Sequence, residues 1–228
     1  MAIDEELKRK VIEAWQNAFP QLSLYAQNKL YKVVGSIVIG LELIKLPRTD
    51  EYRPHFVIYP LWKEDVKSSL DSPIIIKEYY NKKGLQYSIL YERHIYLFND
   101  VLESVKKQTP FSFNGNISYN KLVFVIDECS QTPPLSAAPN SYLQATLQDA
   151  KFKISLFVGI AEAKSVLEQI NKRRWDANHF KSCGVDVNRW LQGLQESISK
   201  RDGFLKQIET NKREKKIAQL VSFDTIIR

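Results

Sequence analysis

The chain has 228 residues, 44% of them apolar and 26% charged, with 8 glycines and 9 prolines. That is enough for a sizeable core and excludes wholesale disorder and fibrous or low-complexity structure. The formal charge of +7 is uneven: Lys and Arg number 17 against 17 Asp and Glu in residues 1–150, but 16 against 9 in residues 151–228.

In chain order, residues 3–19 predict a helix. Ile3, Leu7, Val11, Ala14 or Trp15, and Ala18 recur at helical spacing, acids at 4–6 suit its positive end, and Pro20 stops it. Lys32 to Leu46 changes period and predicts a strand, with Ile37, Ile39, Leu41 and Leu43 on alternate positions. His55 to Tyr59 predicts a second strand, antiparallel to the first. Ile74–Tyr79 and Leu85–Tyr91 read as two further strands around an Asn81–Gly84 turn. His94–Lys107 returns to helical spacing. Asn114-Gly115 predicts another hairpin turn, and Leu122–Ile126 is strongly β-prone.

Cys129 to Ser141 holds Pro133, Pro134 and Pro139 among small polar residues and predicts a linker. Beyond it Leu156, Ile160, Ala163, Leu167 and Ile170 form one helical seam. Val187, Leu191, Leu194, Ile198, Leu205 and Ile208 form a second, with Cys183-Gly184 and Asp186 marking a stop and restart. The expected fold class is α+β: an N-terminal helix and a mainly antiparallel sheet of five or six strands, followed by a helical hairpin or small bundle. Residues 1–140 form the α+β part and 141–228 a basic helical region, either separate or packed on the first part as one unit.

Motifs for chemistry are sparse. Cys129 and Cys183 are far apart and outside any Cys-x-x-Cys pair, which argues against a disulfide scaffold or a Cys-based zinc site. Leu122–Ile126 followed by Asp127-Glu128 has the look of a Walker B strand, in which the acids serve Mg²⁺ and water. The phosphate loop it requires is missing: Gly35-x₄-Gly40 is followed by Leu41-Glu42, with neither lysine nor hydroxyl. His55, His94 and His179 form no His-x₃-His pair. Glu42 and Lys45 are one residue too far apart for a Glu-x-Lys nuclease strand. His179 and Cys183 share a helical face, yet a structural cysteine explains them as well. No catalytic residue, metal ligand or cofactor is assigned.

The N-terminus lacks the positive start and apolar run of a secretory signal. The longest apolar stretch, Val33–Leu41, falls short of the roughly 20 residues that cross a bilayer. A cytoplasmic chain with no membrane contact is expected. The remaining signal is basic. Lys172, Arg173, Arg174, Trp175, Lys200, Arg201, Lys212, Arg213, Lys215 and Lys216 are the candidate partner-binding residues. They suit an acidic protein partner of an accessory, regulatory or inhibitor-type subunit, with Trp175 as an anchor. Nucleic acid is the alternative, since the same cations neutralise phosphate and nearby aromatics stack on bases. A metal-dependent phosphodiesterase or NTPase around Asp127 and Glu128 is the third reading.

Overall fold

A computed structural model describes residues 4–227. Helix α1 (Glu5–Ala18) is capped by Asp4, whose side chain accepts from Glu6 N. Ile3, the first residue of the expected helical pattern, lies outside the described residues. Strands β1 (Ser23–Ala26), β2 (Lys29–Val34), β3 (Ile37–Lys45) and β4 (Glu51–Pro60) follow as an antiparallel meander. Short helix α2 (Val66–Asp71) then leads to β5 (Ile75–Glu78), which pairs beside β4, and β6 (Ile89–Leu90) pairs further along the same edge of β4. Helix α3 (His94–Gln108), strand β7 (Ile117–Ser118) and helix α4 (Tyr119–Ser130) complete the first two thirds.

Three expectations are corrected. Lys32–Leu46 is two strands rather than one. Gly35-Ser36 turns the chain between β2 and β3, with Gly35 at φ +55°, a conformation costly for any residue with a Cβ. Leu122–Ile126 is helical rather than extended. Ser118 caps α4 by accepting from Lys121 N, and Leu122, Val125 and Ile126 bury one face; tertiary burial at helical spacing outweighs the β-preference of a local run. The Asn114-Gly115 turn leads into β7, which pairs parallel with the C-terminal strand and makes no hairpin.

After the proline-rich loop come α5 (Tyr142–Val158), α6 (Ile160–Asn171), α7 (Ala177–Ser182), α8 (Val187–Ser199), α9 (Arg201–Lys212) and α10 (Lys215–Ala218). The first helical seam therefore crosses a break at Gly159. Phe152 and Leu156 of α5 still pack with Ala163, Val166, Leu167 and Ile170 of α6 and Leu194 of α8. The chain ends in β8 (Ser222–Phe223), parallel to β2, and β9 (Thr225–Ile226), parallel to β7.

Both faces of the sheet are buried. One carries Leu30, Ile39, Leu41, Phe56 and Ile58 against α1, α3, α4 and part of α5. The other carries Tyr31, Val33, Val38, Val57 and Tyr59 against Ile208 of α9, Ile217 of α10 and Leu220. The helical region is thus joined to the sheet by packing and by strand pairing. No helix among the described residues is long and apolar enough to cross a membrane.

Candidate functional site

The ten candidate residues fall at opposite ends of α5. At its N-terminal end Arg173 donates to the Pro139 carbonyl at 3.4 Å and Asp176 N donates to the Asn140 carbonyl at 3.0 Å. At its C-terminal end Arg201 donates through Nε to Leu156 O at 2.7 Å and through a terminal nitrogen to Phe157 O at 2.9 Å. Lys212 Nζ lies 5.4 Å from the centre of the Phe157 ring. Seventeen residues of α5 separate the ends by about 25 Å at ~1.5 Å per residue. The cations do not merge into one patch.

Several of them are structurally engaged. Arg201 satisfies the last carbonyls of α5, so its charge serves the fold. Burial pushes the half-buried Arg173 guanidinium below its usual range, with nearby Asp127 acting the other way. Lys200 pairs with Glu196 at 3.1 Å and Lys212 with Glu209 at 2.9 Å. Trp175 is packed edge-on against Trp190, with ring centres 5.2 Å apart, and against Phe180; its indole N–H donates to Ile170 O. The expected anchor is half-buried, packed against the helical core.

Among the described residues, Lys172 and Arg174 are exposed without an ion pair at one end of α5, and a larger such group stands on α9–α10 at the other. Lys206, Arg213, Lys215 and Lys216 are exposed and form no ion pair among the described residues. Lys206 was missed in the sequence because it stands alone; one face of α9 brings it into line with Arg213, seven residues on. Of the three acids in the segment, Asp202 is exposed four residues before Lys206 and the other two are committed elsewhere. Glu209 holds Lys212, and Glu214 caps α10 by accepting from Lys216 N at 2.9 Å. Lys216 lies 5.7 Å from the Tyr25 ring centre. The segment is held by Ile208, Ile217 and Leu220 in the sheet core. Asn211 fastens it further, donating to Leu61 O at 2.9 Å and Lys63 O at 2.8 Å.

Asp127 lies in α4, where Lys151 donates to both its oxygens at 2.8 and 2.9 Å. The strand that the Walker B resemblance required is absent from this segment. Among the described residues no three His, Cys, Asp or Glu side chains gather as a metal would need. His179 Nδ1 accepts from Tyr142 N at 3.2 Å, at the start of α5. The aromatic-rich residues 52–62 are mainly core: Tyr52 and Phe56 are fully buried and Tyr59 nearly so.

A buried polar cluster lies on the sheet face beneath α9 and α10. Glu42 of β3 accepts from Tyr31 and, at 2.8 Å, from Tyr59, and Lys29 Nζ sits 3.2 Å from the same oxygen. Gly40 makes room for it, since a Cβ there would meet the Leu30 carbonyl and come within 2.8 Å of the Tyr31 ring. Burial and the Glu42 carboxylate raise the ionisation of both phenols well above the usual range, with burial the larger cause. All three donors converge on one carboxylate, which reads as a structural brace. Comparison of the chain with protein-family models, with curated proteins and with solved structures finds no match.

Proposed function

We propose that the protein acts by binding, as an accessory, regulatory or inhibitor-type subunit that docks an acidic protein surface through the ledge formed by α9 and α10. The observation that carries this is the set of four exposed, unpaired cations, Lys206, Arg213, Lys215 and Lys216, on elements pinned to the sheet. A fixed array of cations meets an acidic surface without first being ordered, which lowers the entropic cost of association.

The mutual packing of the partly buried aromatics favours protein over nucleic acid as partner. Trp175 and Trp190 pack on each other, and Phe204 lies 6.3 Å from Trp62, ring centre to ring centre. Rings engaged in this way are not free to stack on unpaired bases.

Fluorescence anisotropy tests the choice. The full chain is titrated at about 0.15 M salt against a labelled Asp/Glu-rich peptide and a labelled single-stranded oligonucleotide. The expected result is saturable binding of the peptide and weak, strongly salt-dependent binding of the oligonucleotide. Tight oligonucleotide binding with no peptide binding would overturn the proposal.

A further inference from the structure

The sheet ends in an open edge at β5. One side of β5 pairs with β4, from Ile58 opposite Ile75 to His55 opposite Glu78. Among the described residues no strand pairs with its other side. Alternation along a strand settles which groups face outward, because each residue turns its N–H and C=O to one side and the next residue to the other. The Ile58 carbonyl points toward β5, accepting from Ile74 N at 2.7 Å, and the Tyr79 carbonyl points inward, accepting from Tyr87 N at 3.0 Å. Ile76, Glu78 and Tyr80 therefore turn their backbone groups outward.

At Tyr80 a side chain stands in for the missing strand. The Gln108 carboxamide accepts from Tyr80 N at 3.0 Å and donates to Tyr80 O at 2.6 Å. The outward groups of Ile76 and Glu78 have no such partner among the described residues. Beside them runs a cleft of about 580 Å³, walled by Val125, Glu128 and Cys129 of α4 and by the Pro133–Pro134 loop. Ile76 is 52% exposed at its margin.

We infer that this edge captures an extended peptide segment of another protein by β-strand addition. The peptide supplies main-chain hydrogen bonds to Ile76 and Glu78 and alternating apolar side chains to the cleft. The charge of the cleft selects the segment: Glu78 and Glu128 outnumber Lys77, so the peptide carries cations between its apolar residues. Gln108 closes the groove at Tyr80 and limits the captured stretch to the length of β5. The site lies apart from the α9–α10 ledge and does not depend on it.

The test uses a synthetic peptide of alternating Val and Lys, about eight residues long, titrated against the full chain, with hydrogen exchange as a second readout. Expected are saturable binding, slowed exchange at the Ile76 and Glu78 amides, and a loss of about tenfold or more when the peptide backbone is N-methylated on one edge. Ile76→Pro deletes one outward N–H and spares the ladder to β4, and it is expected to weaken binding similarly. Glu128→Lys is expected to weaken the Val/Lys peptide and to improve a Val/Glu one. No binding of the Val/Lys peptide, or binding that N-methylation leaves unchanged, would overturn the inference. The N-methylated peptide keeps the test valid even where a protein variant fails to fold.

Discussion

The two faces of the central sheet are covered by different parts of the chain and stabilised differently. The face under α1, α3 and α4 carries a large apolar cluster with Trp15, Phe56, Phe111 and Phe113, and its buried polar groups, Lys32 and His94, sit apart from one another, Lys32 on the Phe113 carbonyl and His94 on the Tyr52 hydroxyl. The face under α9 and α10 combines Val33, Val38 and Val57 with the Tyr31–Glu42–Tyr59 brace. The basic third of the chain therefore completes the fold and also displays charge. Its cations stand on elements whose other side is buried, so they are held in place rather than carried on a loose tail.

The largest effects should come from breaking each face in turn. Phe56→Ala, in the centre of the first face, is expected to cost about 4 kcal/mol in urea denaturation. Ile208→Ala, where α9 meets the second face, is expected to cost about 3 kcal/mol. A change below about 0.5 kcal/mol for Ile208→Ala would mean that α9 contributes little to the fold and does not complete the second face. Glu42→Ala leaves two tyrosine hydroxyls and Lys29 without their acceptor and is expected to cost about 3 kcal/mol. Glu42→Gln retains an acceptor and should cost about 1 kcal/mol. Equal losses for the two variants would show that the brace acts through the charge of the carboxylate and not through its volume or its acceptor oxygen.

A pH series sharpens the contrast from the first face. His94 is buried, and Tyr52, whose hydroxyl already accepts from Trp15 Nε1 at 3.2 Å, donates to its Nδ1 at 2.7 Å. Burial pushes the imidazole down from 6.5 to about 4. Between those values the unfolded chain binds the proton and the folded chain does not, so stability falls as pH drops from 6.5 to about 4. The full loss is about 3 kcal/mol. His94→Gln should flatten the difference across that window, measured as urea midpoints; an unchanged slope would place the acid sensitivity elsewhere.

How legible this was in the sequence depended on how many sides of an element are buried. Helix α1 buries one stripe, so Val11 stands out from charged neighbours; in α3 the helical spacing of Ile95, Phe98, Leu102 and Val105 reveals the helix, but the buried stripe runs through Val101 and Val105 and Ile95 is exposed. β2 and β3 are buried on both faces, so the Gly35-Ser36 turn between them sits in one apolar run and was overlooked. In α4 the exposed Phe124, together with Val123, filled in the helical gaps and imitated a strand. The basic residues were visible as runs. Their division between the two ends of α5, the use of Arg201 as a cap and the packing of Trp175 against Trp190 depend on contacts distant in sequence. The open edge at β5 left no local signal, because an edge is defined by which strand is absent beside it.

The smallest expected effect on stability accompanies the largest expected effect on binding. Arg213→Glu, Lys215→Glu and Lys216→Glu change exposed side chains, and each should shift stability by no more than about 0.5 kcal/mol. The claim that α9–α10 is the docking surface is tested most directly by placing these three changes in one chain and Lys172→Glu with Arg174→Glu in another. Both are then titrated against the labelled Asp/Glu-rich peptide. The ledge variant is predicted to lose binding by about tenfold or more while the variant at the other end of α5 stays close to the unaltered protein. Equal losses in the two variants, or no loss at the ledge, would contradict the claim.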